Sequence, residues 1–220
     1  MESVASRLER ILSELPSGVR LAAVSKFHPV ERLMEAYEAG QRVFAESRPQ
    51  ELVAKVPQMP ADVEWHFIGH LQTNKLKLVL PYVALVQSVD SERLLRAISD
   101  WAVSNGREVS VLLEQHISSD VTKQGFTAEE ILDVLRRFAD FPHVRFRGLM
   151  GMATLTDDPA VIAADFARIA ALKALVNEKF PNLTDFAELS IGMSGDWCLA
   201  LEAGSTMVRI GTAIFGPREY

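Results

Sequence analysis

The stretch "LSIGMSGDWCLALEAGSTMVRIGTAIFG", Leu189 to Gly216, holds the repeating unit that decides the fold. It opens in an apolar run, Glu188–Ser194. A short helical segment follows, Gly195–Ala203, with Gly204 behind it as a C-terminal cap. A second apolar run follows, Met207–Phe215. Neither run alternates apolar and polar residues, as expected of strands covered on both faces. Two such strands joined through a helix are parallel, because a parallel pair needs a crossover connection.

The same unit recurs toward the N-terminus. Six further apolar runs are Arg20–Lys26, Arg42–Glu46, Glu64–His70, Leu85–Val89, Glu108–His116 and Arg145–Met152. Helical patterns separate them. Val30–Ala39 stops at Gly40, Arg48–Val56 carries Pro49 in its first turn, and Ser91–Val103 starts on a capping serine. Thr127–Phe138 begins with Thr127 and Glu130 at capping-box spacing. Ala160–Phe180 is amphipathic and closed by Pro181. Strand–helix alternation of this kind makes an α/β protein with a parallel sheet. Eight units in 220 residues predict a single domain, residues 1–220, folded as a (β/α)8 TIM barrel with an extra N-terminal helix. A doubly wound open sheet is the alternative, and the unit count favours the barrel. No internal repeat, low-complexity segment or linker interrupts the chain.

Composition narrows the function. The net charge is −6 and no basic patch is present, which argues against nucleic-acid binding. One cysteine, Cys198, rules out an intramolecular disulfide and is compatible with a reducing compartment. Cys198 is expected to be a small buried residue. The N-terminal "MESVASRLERILSEL" is charged and helical in pattern, unlike a secretion signal. No apolar run approaches the ~20 residues of a membrane helix. A cytoplasmic protein without membrane contact is expected.

In a barrel the chemistry sits at the C-terminal ends of the strands. Lys26 ends the first run. It reads either as a snorkelling surface lysine or as an amine in a partly apolar cavity, where desolvation leaves some of it unprotonated and able to form a Schiff base. Such a lysine serves an aldolase or pyridoxal 5'-phosphate (PLP), and PLP also needs a phosphate cradle. The last two units offer one. Gly192 and Gly195 flank Met193 and Ser194, and Gly211-Thr212 follows the eighth run. These are the loops in which such barrels recurrently bind phosphate. Each feature alone also reads as a turn or a helix cap. Arg209 interrupts an apolar strand, and a buried guanidinium needs an acceptor, such as a carboxylate or a pyridine nitrogen. His66 and His70, four residues apart on a strand, would stand about 13 Å from each other, too far to share a metal, and no third ligand accompanies them. No metal site is expected. Asp120, Thr122 and Lys123 read as a solvated loop.

The landmarks "AVSK", "HFIGHLQTNK", "RGLMGMAT", "LSIGMSGD" and "GSTMVRIGTAIFG" span nearly the whole chain. By these it resembles the pyridoxal phosphate homeostasis proteins. The resemblance implies a fold-type III barrel similar to the N-terminal domain of alanine racemase, with PLP as a Schiff base on Lys26. It implies a cradle of Ser194, Gly211, Thr212 and the backbone near Met193, with Arg209 facing the pyridine nitrogen. An arginine there disfavours ring protonation and makes a weak electron sink. Members are regarded as monomeric, non-catalytic carriers that buffer PLP, a form of vitamin B6, and deliver it to PLP-dependent apo-enzymes, so no catalytic residue is assigned. Racemases add a β-rich domain with a catalytic tyrosine. Here the tyrosines are Tyr37, Tyr82 and Tyr220, the first two away from the strand mouths. A minimal fold-type III amino-acid racemase is the alternative, and a Schiff-base aldolase the third reading. Two positions depart from the family pattern. Ser47 stands where many members have asparagine near the cofactor, and Phe27 where many have threonine after the lysine.

Overall fold

A computed structural model describes residues 2–118 and 124–217. Asp120, Thr122, Lys123 and Tyr220 lie outside the described residues. The strands are β1 (Arg20–Val24), β2 (Val43–Glu46), β3 (Glu64–Phe67), β4 (Leu85–Val89), β5 (Val109–Gln115), β6 (Val144–Gly151), β7 (Glu188–Ser190) and β8 (Met207–Ile210). They pair in sequence order and close, with β1 beside β8 through Arg20↔Met207 and Ala23↔Ile210, all parallel. The open-sheet alternative is thereby excluded. The helices are α1 (Val4–Glu14), α2 (Val30–Glu38), α3 (Pro49–Lys55), α4 (Leu76–Val79), α5 (Glu92–Ser104), α6 (Ala128–Arg136), α7 (Pro159–Lys179), α8 (Trp197–Glu202) and α9 (Thr212–Phe215). One helix thus follows each strand, and α1 precedes them all, packed against α2 and α9.

Local chemistry starts and stops these elements. Ser3 caps α1 by accepting from the Ser6 amide at 3.1 Å, and Val4, Leu8 and Ile11 form its buried stripe. Thr127 and Glu130 cap α6 reciprocally, as their spacing predicts. The strands are shorter than the apolar runs. β1 stops at Val24, β3 at Phe67 and β7 at Ser190, and the last run bends after Ile210 into α9 rather than continuing to Phe215. Beyond those points the backbone bonds to side chains and loops, for example Gly211 N–H to Ser194 Oγ at 3.4 Å.

Two apolar layers explain the missing alternation. On β1, Leu21 and Ala23 face the large cluster between strands and helices, while Ala22 and Val24 face the barrel interior. The interior cluster also contains Ala45, Leu85, Leu112, Met150 and Met207. It is shared with buried polar side chains: His66, Gln87, Ser190 and Arg209. Small Ala22, opposite Arg209 in the β1–β8 register, leaves room for the guanidinium. Cys198 is exposed on α8, not buried as expected, because the short helix turns Ala200 inward instead. No helix among the described residues is long and apolar enough to cross a membrane.

Candidate functional site

A cavity of about 270 Å³ opens at the C-terminal end of the barrel. That is near the small end of ligand cavities, roughly 300 Å³, and suits one small ring compound better than a dinucleotide. Its apolar wall is Val24, Ile68, Met150 and Met152. Its polar lining is Lys26 from the turn after β1, Met193–Gly195 from the loop after β7, Arg209 from β8, and Gly211 and Thr212 where β8 turns into α9. The structure therefore brings together Lys26, Met193, Ser194, Arg209, Gly211 and Thr212. Ser47 is not among the lining residues. Its carbonyl lies against Gly69, where an added Cβ would fall 2.2 Å from Ser47 O.

Lys26 stands two residues past β1, half-buried, on a turn held at several points. Ser25 N–H donates to Ala45 O at 3.0 Å, and Ser25 Oγ donates to Glu46 Oε1 at 2.7 Å. Phe27 takes a left-handed backbone, φ 68°, and its N–H donates to Glu51 Oε2 at 2.8 Å. Its ring lies under the Arg48 guanidinium, 4.3 Å from centroid to Cζ. Behind the turn the buried Lys55 ammonium donates to Ser25 O at 2.8 Å, Glu46 Oε1 at 2.6 Å and Glu51 Oε2 at 3.1 Å. Burial pushes the Glu46 carboxyl above its usual range, against the pull of Lys55 and Ser25. Burial also raises Glu51, but the Phe27 amide and Lys55 outweigh it and hold that carboxyl below its ordinary value. Sequence reasoning missed Lys55. Its signal was a lysine three residues after Leu52, on the apolar face of α3.

The opposite end is built by the β7 and β8 loops. Ser194 Oγ accepts from Gly211 N–H, joining two positions 17 residues apart. A Cβ at Gly211 would lie 3.0 Å from Val24 O, so glycine lets this loop close onto β1. A Cβ at Gly195 would meet no atom within 4 Å, so the backbone there borders open space. Asp196 Oδ1 accepts from Met193 N–H at 2.5 Å and fixes the loop.

Arg209 is 4% exposed. Its Nη1 donates to Ser190 O at 2.6 Å and Ser190 Oγ at 2.7 Å, and its Nη2 donates to Gly151 O at 3.0 Å. Three of five donor positions are committed, leaving Nε–H and one Nη2–H for a ligand in the cavity it lines. Burial lowers its pKa to about 10, so it remains cationic at neutral pH.

The histidines do not meet. His66 is buried inside the barrel between Glu64 and Gln87, whereas His70 is exposed and pairs with Asp90 at 2.9 Å. Among the described residues no group of three or more His, Cys, Asp or Glu side chains is placed to hold a metal. Of the tyrosines, Tyr37 donates to Asp62 at 2.7 Å, and neither it nor Tyr82 lines the cavity.

Residues 1–219 match the family described as alanine racemase, N-terminal domain. The pyridoxal phosphate homeostasis protein of Vibrio alginolyticus is 37% identical over the full length of both chains. That of Pasteurella multocida is 39% identical, covering 93% of this chain and 88% of the relative. The structure of PipY from Synechococcus elongatus with PLP bound superposes with a TM-score of 0.90 at 36% identity, covering 97% of this chain and 100% of PipY. An alanine racemase of Clostridium difficile shares the fold alone, with a TM-score of 0.77 at 15% identity; the match takes in 96% of this chain and 56% of the racemase.

Proposed function

The chain belongs to the alanine racemase N-terminal domain family and, within it, to the pyridoxal phosphate homeostasis proteins, and from that premise we propose that it is an intracellular PLP carrier, holding the cofactor on Lys26 as a Schiff base. The observation that carries this reading is that Lys26, Arg209 and the Ser194–Gly211–Thr212 end line one small cavity. The donor set fits PLP. An amine stands where an aldehyde would be captured, hydroxyls and open backbone stand where a phosphate would lie, and a cationic donor stands where a ring nitrogen would face it. PLP when bound supplies a reactive aldehyde and a conjugated ring.

Each residue has a separable role. Lys26 is the covalent anchor, and the Ser25–Glu46–Lys55 cluster aims it. Ser194, Gly211 and Thr212 cradle the phosphate, and Met193, its N–H held by Asp196, fixes the loop beside it. The Arg209 guanidinium discourages a second positive charge at the ring nitrogen beside it. Met150, Met152, Ile68 and Val24 exclude water from the ring face. Ser47 belongs to the site only through the backbone it packs against Gly69.

We read residues 1–220 as one monomeric binding unit that buffers the cofactor and hands it to PLP-dependent apo-enzymes without turnover of its own. That neither Tyr37 nor Tyr82 lines the cavity supports carriage over racemisation. Protein incubated with PLP is expected to show a visible absorption band that borohydride bleaches, and Lys26→Ala is expected to lack it. An unchanged band in Lys26→Ala sinks the assignment. Robust Lys26-dependent α-deuteration of an amino acid in deuterated water would favour the racemase instead.

A further inference from the structure

A chain of hydrogen bonds runs along the barrel axis beneath the cavity. Arg209 Nη1 donates to Ser190 Oγ at 2.7 Å, and the Ser190 hydroxyl donates to Gln87 Oε1 at 2.7 Å. Gln87 Nε2 pairs with His66 Nδ1 at 2.8 Å, and His66 Nε2 with Glu64 Oε1 at 2.8 Å. The same Glu64 oxygen accepts from Arg20 Nη2 at 2.7 Å. Ser190, Gln87 and His66 are fully buried. The chain links the cavity to a second hollow of about 180 Å³ at the N-terminal mouth, lined by Arg20, Glu64 and Glu188 among others.

Its two ends are a fixed donor and a fixed acceptor. A guanidinium can only donate, and an ionised carboxylate can only accept. His66, chiefly through the N–H it directs at Glu64, and Arg20 hold the Glu64 carboxyl down to about 2, so it is ionised at neutral pH. Ser190 donates to Gln87 Oε1, Gln87 presents its amide N–H₂ to His66 Nδ1, and burial keeps His66 neutral, as the Nε2–H tautomer. Each internal link has one donor and one acceptor and tolerates no flip on its own. A long arginine side chain without such links keeps much of its rotamer freedom, whereas ligand-facing groups work only when their supports lock them.

We infer that Ser190, Gln87 and His66 are positioning residues that hold the Arg209 guanidinium in one orientation toward the ring-nitrogen end of PLP. This rests on the reading of the cavity as a PLP site. None of the three lines the cavity, so their effect on the cofactor passes through Arg209.

Ser190→Ala and Gln87→Met remove links with little change in volume. In PLP-free protein, the Arg209 guanidinium ¹⁵N resonances are expected to shift in both variants. In loaded protein, the absorption maximum is expected to move, and PLP affinity to fall about tenfold, the effect of one lost hydrogen bond to a charged group. The double variant is expected to move the band no further than Ser190→Ala alone, since that variant already cuts the chain's side-chain link to Arg209 and leaves only its bonds to Ser190 O and Gly151 O. Ser190→Thr, which keeps the hydroxyl, is expected to restore the wild-type band. Unmoved resonances overturn the inference. Moved resonances with an unmoved band also overturn it, since the chain would then be structural only. If wild-type protein gives no borohydride-sensitive band, the PLP reading itself fails, and shifting resonances identify that as the separate failure.

Discussion

At the scale of single residues, the placement of Lys26 depends on neighbours that never enter the cavity. The turn that carries it puts Phe27 at φ 68°, a backbone region that costs a non-glycine residue about 1–3 kcal/mol. Glu51, accepting from the Phe27 amide, offsets that cost, and Lys55 holds Glu51 and Glu46 together behind the turn. All three ammonium donors of Lys55 are used. Lys55→Met leaves Glu46 buried without its cation, and breaking a buried pair in this way costs about 3–5 kcal/mol. Urea denaturation should read a loss of that size. Arg136→Met, which removes the exposed pair with Asp133, should cost no more than about 1 kcal/mol. Equal losses in the two variants would refute the role given to Lys55.

At the scale of elements, β6 is the strand on which Arg209 leans. It brings Gly151 O to the guanidinium and Met150 to the cavity wall. Its path is set by an irregularity. Val111 pairs with Phe146 but Leu112 pairs with Gly148, so Arg147 is the extra residue of a bulge. Gly148 has φ 150°, and a Cβ there would fall 1.9 Å from Glu188 O on β7. Strand β7 has only three residues, so it has few other bonds with which to absorb a displacement. Gly148→Ala is expected to cost about 3 kcal/mol or more, seen as a lowered Tm, because backbone must move against backbone. A Tm equal to wild type would mean that the β6–β7 contact is looser than this.

At the scale of the whole molecule, a polar barrel interior makes stability depend on pH. Burial lowers the His66 pKa below its unfolded value of 6.5, the Glu64 partnership opposing that shift without reversing it. The unfolded chain therefore takes up a proton that the folded one refuses, and stability falls as pH drops below 6.5. The Glu64 carboxyl is held at about 2 against 4.5 unfolded, so its contribution is complete above 4.5 and lost between 4.5 and 2. Chemical denaturation between pH 7.5 and 5 is expected to show stability falling as the pH drops, with a slope below the roughly 1.4 kcal/mol per pH unit of one whole proton, because the raised Glu46 carboxyl takes up a proton on the folded side. In His66→Asn that slope should flatten above pH 4.5. An undiminished slope in the variant would place the proton elsewhere.

The barrel was legible because its signals are local. Strands covered on both faces lose alternation, caps such as Ser3 and Thr127 act within one turn, and glycines close helices where they stand in the chain. Lys26 and Arg209 were legible as cations out of place in apolar runs. The sequence by itself determined eight strand–helix units and which residues were anomalous within them. Only the tertiary structure decided that Lys26 and Arg209 line one cavity, that Ser47 turns its backbone to Gly69 and stays off the lining, that Cys198 faces outward, and that Lys55 is buried behind the Lys26 turn. The reason is separation along the chain. Ser194 meets Gly211 across 17 residues, and Gln87 meets Ser190 across 103. No periodicity within a strand or helix encodes which residues meet at such distances. Ser194 and Gly211 become neighbours when β7 pairs with β8, and Gln87 and Ser190 when the eight strands curl into one barrel.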